Sequence, residues 1–479
     1  MVFNSVQFLI FLPIVFLLYW MVFKTVKWQN VLIVVASYVF YGWWDWRFLA
    51  LIAFTSVCSY ASGVMIEKHR EKGKIISATN IVINLLILGF FKYYNFFTET
   101  FAQAMSTLGW HCDAPTLNIV LPVGISFYTF QALSYSIDVY RKKIDASHSL
   151  IDVMAFISFF PQLVAGPIER ATHLLPQFQN PRAFSPSNAT SGMRQMLWGL
   201  FKKMIVADTC GMIVDRMWED VGAHTGFALM LSSALFAFQI YADFSGYSDI
   251  AIGCARLFGF ELTTNFKVPY FSRSIREYWR RWHVTLMNWF TEYVYFPLGG
   301  SRGTKAKTIA NTFIVFALSG LWHGANWTYV IWGLYNAVWF VPLILLNRGR
   351  YRGTVASGKK LPSLKESELM LINFAIAALG LTIFRAPSMT QFFDYMGNML
   401  SPSLLKVGFG HEIKVALAYC AFMLVVEWIY REKRFALDFG DSPSGIVGHR
   451  AVRWGIYIAL FVFTVLMSGL HSNFIYFQF

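Results

Sequence analysis

Apolar runs long enough to cross a bilayer recur along the whole chain, separated by short basic loops. A crossing helix needs roughly 20 apolar residues. Runs near 6–23, 31–44, 48–66 and 75–93 open the series. Further runs lie near 193–207, 227–242, 247–260, 309–322, 327–346, 369–384, 413–430 and 454–470. Lipid-facing backbone must satisfy its own hydrogen bonds, which leaves helices as the economical solution for runs of this length. Only 14% of the residues are charged and 56% are hydrophobic, with a mean hydropathy of +0.48. A soluble domain is about a quarter charged. The expectation is an all-α polytopic membrane protein of about eleven transmembrane helices, one integral-membrane domain over 1–479. The first run has neither a basic leader nor a small-residue cleavage site, so it reads as a retained span rather than a signal peptide.

The net charge of +14 collects in the loops EKHREKGK (67–74), RKK (141–143), NRGRYRGTVASGKK (347–360) and REKR (431–434). The positive-inside rule explains that distribution and makes nucleic-acid binding unnecessary. It places these loops in the cytoplasm, the segment 95–115 outside because it has no lysine or arginine, and both termini outside. The five cysteines are spread through mostly apolar surroundings with no metal or redox spacing, so no metal site is expected.

Three stretches are irregular. LPVGISFYTFQALSYSIDVY is interrupted by Pro122 and Gly124 and carries Gln131 and Asp138. Such a segment sits at membrane depth only when protein or a wet cavity surrounds it. IDVMAFISFFPQLVAGPIERATHLLPQF should bend at Pro161, Gly166, Pro167 and Pro176. The stretch 271–308 is aromatic and strongly basic, too charged to span, and reads as re-entrant or interfacial helices on the inner side.

The sharpest chemical candidate is His323 in SGLWHGANWTYVIWGLYNAVW. It lies sixteen residues beyond Lys307, roughly 24 Å along a continuous helix at 1.5 Å per residue. A polar ring that deep is costly unless paired or facing a cavity. Gly320 and Gly324 beside it would leave room for a substrate. Neutral imidazole can take a proton from a hydroxyl near neutral pH; a structural histidine bonded to a carbonyl or an indole is the other reading. His283 in REYWRRWHVTLMNWF is the second candidate, with an interfacial structural role favoured by its spacing alone. Asp243 and Asp249 in YADFSGYSDIAIG read as caps of a helix break, with ion or proton sites as the alternative. Arg273, Arg276, Arg280, Arg281, Lys305 and Lys307 form a basic inner surface suited to an anionic donor or to membrane lipid headgroups.

WHGANWTYVIWGLYNA resembles the signature of the membrane-bound O-acyltransferases. So do REYWRRWHVTLMNWFTEYVYFPLGGSR, FPQLVAGPIER, FYTFQALSYSIDVYR, YADFSGYSDIAIGCARLFG and the opening MVFNSVQFLIFLPIVFLLYW. The likeness extends over essentially the whole chain and points to the bacterial polysaccharide O-acetylation branch, of alginate or peptidoglycan type. It implies a ring of helices around a tunnel. His323 falls on the family's essential histidine and His283 on its second. Trp322, Asn326, Arg280 and Arg281 would line the tunnel or meet the donor. No bound cofactor is implied; the donor would be acetyl-CoA or a carrier-bound thioester arriving from the cytoplasm of a bacterium whose inner membrane holds the protein. The chain shows no soluble catalytic domain, so an extracytoplasmic serine hydrolase-like (SGNH) partner would carry the acyl group on to a polysaccharide.

The last seven residues, NFIYFQF, gain a meaning from the same resemblance. In the related D-alanine transfer to teichoic acid, a small partner protein ends in an aromatic motif whose tyrosine carries the acyl group. The tail 472–479 looks like such a motif fused to this chain, with Tyr476 as acyl relay. A phenol, pKa about 10, attacks poorly unless a base removes its proton. An interfacial aromatic anchor is the plainer reading of the same residues. D-alanyl transfer, or a transporter without covalent chemistry, are the alternatives to acetyl transfer.

Overall fold

The computed structural model describes residues 1–110, 115–351, 353–440 and 445–467. Cys112 and the tail 472–479 with Tyr476 lie outside them. Every regular element among the described residues is a helix. Five stretches are long and apolar enough to cross a membrane: Trp46–Lys68, Arg70–Thr107, Gly226–Leu257, Trp327–Leu345 and Leu364–Arg385; Val6–Val22 is a shorter apolar one. Other expected spans fall short for visible reasons. Val26–Gly42 has 17 residues and Ile125–Tyr140 has 16. His411–Ile429 carries Glu412, Lys414 and Glu427. The run from Arg70 to Thr107 continues past the expected span end near 93, so the first half of the segment 95–115 is helix rather than loop.

The chain divides into two compact units. The first comprises Met1–Asn188 with Cys254–Thr263. At its centre lies Ile125–Tyr140, buried at every residue from Ile125 to Ser136. Gly124, at φ +74°, starts this helix rather than breaking it, a left-handed turn that a side chain would strain. Small polar residues let neighbouring helices approach it: Ser62 Oγ lies 2.8 Å from Ser136 Oγ, which in turn lies 3.3 Å from Ser77 Oγ. The proline-rich stretch after Leu150–Ser158 is buried turn, as its composition requires, and helix resumes at Ala171–Gln179. Pro176 does not bend the chain out of helix, since it sits inside Ala171–Gln179. Glu169 closes the buried turn, accepting from the backbone N–H of Thr263 and from Thr263 Oγ1 at 3.1 Å. His173 Nδ1 stands 2.7 Å from the same carboxylate.

The second unit comprises Ala189–Gly253 with Thr264–Phe479. The helix ending at Phe201 passes through a wide π-type turn, Lys202–Ala207, into Asp208–Glu219. Such turns place successive side chains where a regular helix cannot. Here the turn buries two consecutive lysines against Gly226–Leu257. That helix runs unbroken for 32 residues, so Asp243 and Asp249 cap no helix break. They are ion-paired instead: Lys203 Nζ lies 2.9 Å from Asp243 and 2.8 Å from Asp208, and Lys202 Nζ lies 2.6 Å from Asp249. Buried charges persist only when paired in this way, which explains why the carboxylates sit mid-helix without interrupting it.

Candidate active site

The site lies in the second unit and rests on a helical hairpin, Lys305–His323 and Trp327–Leu345. Thr304 caps the first helix by accepting from the Lys307 N–H at 3.2 Å, and Asn326 caps the second by accepting from the Thr328 N–H at 3.0 Å. The helices pack as closely as backbones allow. A Cβ on Gly320 would lie 2.2 Å from the Tyr329 carbonyl, and one on Gly333 would lie 2.1 Å from the Phe316 carbonyl. Gly324 is filled by the Tyr329 ring. The glycines flanking His323 therefore serve helix contact and leave no gap for a substrate, contrary to the sequence expectation.

His323 ends its helix with its side chain turned into an aromatic cage and 4% of its surface accessible. The rings of Trp322, Trp332 and Phe384 stand 5.0, 5.1 and 5.4 Å from its centroid, each nearly edge-on. Trp322 also reaches the other histidine: its ring lies 5.9 Å from that of His283. Both histidines thus contact one indole.

His283 is fully buried and adopts φ +44°, ψ +51°, a left-handed conformation rare for a residue with a side chain. Strain of this kind needs surrounding contacts to hold it, and Asn265 supplies them. The Asn265 backbone carbonyl accepts from the Val284 N–H at 2.9 Å. Its side-chain Oδ1 accepts from the Thr285 N–H at 3.2 Å and Thr285 Oγ1 at 3.0 Å. Because a backbone N–H only donates, that atom is the amide oxygen. His283 Nδ1, 3.1 Å away, must then be the protonated ring nitrogen, which leaves the lone pair on Nε2. Burial pushes this imidazole down to about 3, so it stays neutral.

Beside Asn265 opens a cavity of about 350 Å³. Its exposed rim includes Lys267, Glu432, Lys433 and Arg434; its buried floor includes Lys202 and Glu427, with the half-buried Asp249 beside them. The floor is internally bonded: Lys202 Nζ donates to Ser245 Oγ at 2.9 Å and lies 3.8 Å from Glu427, which accepts from Tyr241 OH at 2.8 Å.

Of the other expected site residues, Arg281 lines this cavity and pairs with Glu277 at 2.8 Å. Arg280 is exposed and donates to the Tyr351 carbonyl at 2.8 Å. Asn326, expected at the tunnel, spends its amide as a cap, donating Nδ2–H to the Pro387 carbonyl at 2.9 Å. Asn265, Lys202, Lys203 and Glu427 escaped sequence reasoning. The KK pair inside an apolar run was a visible signal; for Asn265 in ELTTNFK there was none.

The sequence model of the membrane-bound O-acyltransferase family matches residues 38–348. The chain belongs to that family. This acyltransferase is 39% identical over 393 residues to the probable alginate O-acetylase of Pseudomonas aeruginosa, covering 81% of the chain and 73% of the relative. It is 35% identical to the probable alginate O-acetylase of Pseudomonas putida across 100% of both chains. It is 33% identical to the peptidoglycan O-acetyltransferase of Helicobacter pylori, covering 71% of the chain and 69% of the relative.

Proposed function

We propose that this multi-pass O-acyltransferase passes acetyl groups across a bacterial inner membrane for the O-acetylation of an exported or cell-wall polysaccharide. The acetylase relatives support the acetyl group and the glycan acceptor. The observation that carries the mechanism is the contact of both His323 and His283 with the ring of Trp322. In this reading about eleven helices and re-entrant segments surround a tunnel, and both termini face outward.

A cytoplasmic thioester, acetyl-CoA or a carrier-bound pantetheine, enters past the lysines of the rim, Lys267 and Lys433. His283, neutral and with its lone pair on Nε2, accepts a hydrogen bond from the donor. His323 takes the proton of the acceptor hydroxyl; the oxygen attacks the thioester carbonyl, the C–O bond forms, the C–S bond breaks, and the thiolate leaves with that proton. The acceptor is Tyr476 of the C-terminal tail. The phenoxide of Tyr476 leaves more readily than an alkoxide, so the nucleophile of an extracytoplasmic serine hydrolase-like partner can take the acetyl, releasing the phenol, and pass it to sugar hydroxyls.

The test is mass spectrometry of the C-terminal peptide after turnover with an isotopically labelled acetyl donor. Labelled acetyl on Tyr476 is expected in the wild type and absent in His323→Ala and Tyr476→Phe, with polymer acetylation reduced about 10²- to 10⁴-fold in His323→Ala. Normal polymer acetylation in Tyr476→Phe would remove the relay; normal acetylation in His323→Ala would remove the base.

A further inference from the structure

A second cavity, of about 590 Å³, lies between the basic ends of the helical hairpin and the turn that follows Val284–Phe290. Its lining is both cationic and apolar. Arg276, Lys305 and Arg350 supply the charge, beside Thr291 and Thr308, whose hydroxyls already donate to the Met287 and Thr304 carbonyls. Val315, Phe316, Phe340 and Ile344 supply the apolar lining. Among the described residues no carboxylate lines it.

The cations are not explained by protein partners. Arg276 donates to the Arg348 carbonyl at 2.8 Å and Lys305 to the Leu345 carbonyl at 2.8 Å, so both are held by neutral dipoles. Burial, and then the charges of Arg350 and Arg280, hold the Arg276 guanidinium below its ordinary value. Three like charges with no acid among them make a site for an anion with several acceptor oxygens. The apolar part requires that anion to carry a hydrocarbon chain. The same helices expose Ile314 and Leu318 on one side and Val338 and Leu345 on the other, so the cavity borders surfaces that face lipid.

We infer that this cavity binds an anionic phospholipid, its phosphate among Arg276, Lys305 and Arg350 and the start of one acyl chain against Phe316 and Phe340. Phosphate is the right anion because two guanidinium groups and an ammonium can all donate to its oxygens. An acyl chain, rather than a pantetheine arm with its two amides, is the right tail because Val315, Phe316, Phe340 and Ile344 offer it carbon surface. Phe316 packs 5.2 Å from Trp279, which stands 5.7 Å from Trp332 of the His323 cage. The bound lipid therefore buttresses the cage from outside the donor path.

Native mass spectrometry of the detergent-purified protein tests this with phosphatidylglycerol, phosphatidylcholine and free coenzyme A as probes. Phosphatidylglycerol adducts should survive activation better than phosphatidylcholine adducts. They should fall about fivefold for each cation removed in Arg350→Gln and in Lys305→Gln, and persist in Arg350→Lys, which keeps the charge. Coenzyme A should not displace them. Equal retention of both lipids, unchanged adducts in both Gln variants, or loss of the lipid to coenzyme A would each overturn the assignment, the last by making this cavity the donor's.

Discussion

Asn265 decides what His283 can do. By fixing the proton on Nδ1 it makes the histidine an acceptor at Nε2, and burial keeps it so across the working pH range. Two substitutions separate the two nitrogens. Gln reaches the position of Nε2, and Asn reaches only that of Nδ1. Acyl transfer should survive within about tenfold in His283→Gln and fall roughly 10²-fold in His283→Asn. A purely structural histidine would reverse that order, because Asn preserves the bond to Asn265. The assay is initial rate at matched amounts of folded protein. Both histidines were legible, since they sit in long aromatic motifs. Asn265 was not, because its role comes from a left-handed backbone eighteen positions later, and no local pattern announces such a contact.

At the scale of elements, the hairpin is the part on which His323 depends. Its helices touch through Gly320 and Gly333, where opposing carbonyls stand too close for a methyl group. Gly333→Ala should cost about 1–3 kcal/mol of stability through overpacking and should lower activity beyond that by displacing the cage rings. Thermal unfolding in detergent, read beside initial rates, checks both. The continuity of Lys305–His323 was readable from its apolar run. The use of the glycines was not, because a missing side chain reads equally as space for a ligand or as contact between helices. The aspartates of Gly226–Leu257 misled for a similar reason. Their neutralising lysines come from another element, through a wide turn that periodicity does not reveal.

For the whole molecule, the basic surface is less free than its charge suggests. Buried Glu277 binds Arg273 at 3.0 Å and Arg281 at 2.8 Å, and Arg273 also reaches Glu366 at 3.1 Å. Burial alone would raise Glu277, but hydrogen bonds from Arg273 and the charges of Arg281 and Arg273 bring it below its ordinary 4.5. A depressed carboxylate adds stability above its unfolded value and loses it as the pH falls through the folded one. The unfolding midpoint should therefore drop below pH 4.5 in the wild type more steeply than in Glu277→Gln. That variant should itself lose about 3 kcal/mol at neutral pH by leaving the Arg281 guanidinium without its carboxylate and Arg273 with Glu366 alone. Composition alone disclosed the membrane class and the basic loops; it could not disclose which arginines are already spent.

The Trp322 ring, in contact with both imidazoles, has an electrical consequence under the transfer proposed above. A protein that hands cargo from one compartment to another risks short-circuiting the ion gradient of its own cell. A large buried ring beside the exchanging groups denies water a continuous file. Under that proposal Trp322→Gly should turn the transferase into a leak: vesicles containing it should dissipate an imposed proton gradient faster than vesicles with the wild type, even with no donor present. A gradient that decays equally in both would leave the ring a packing role alone.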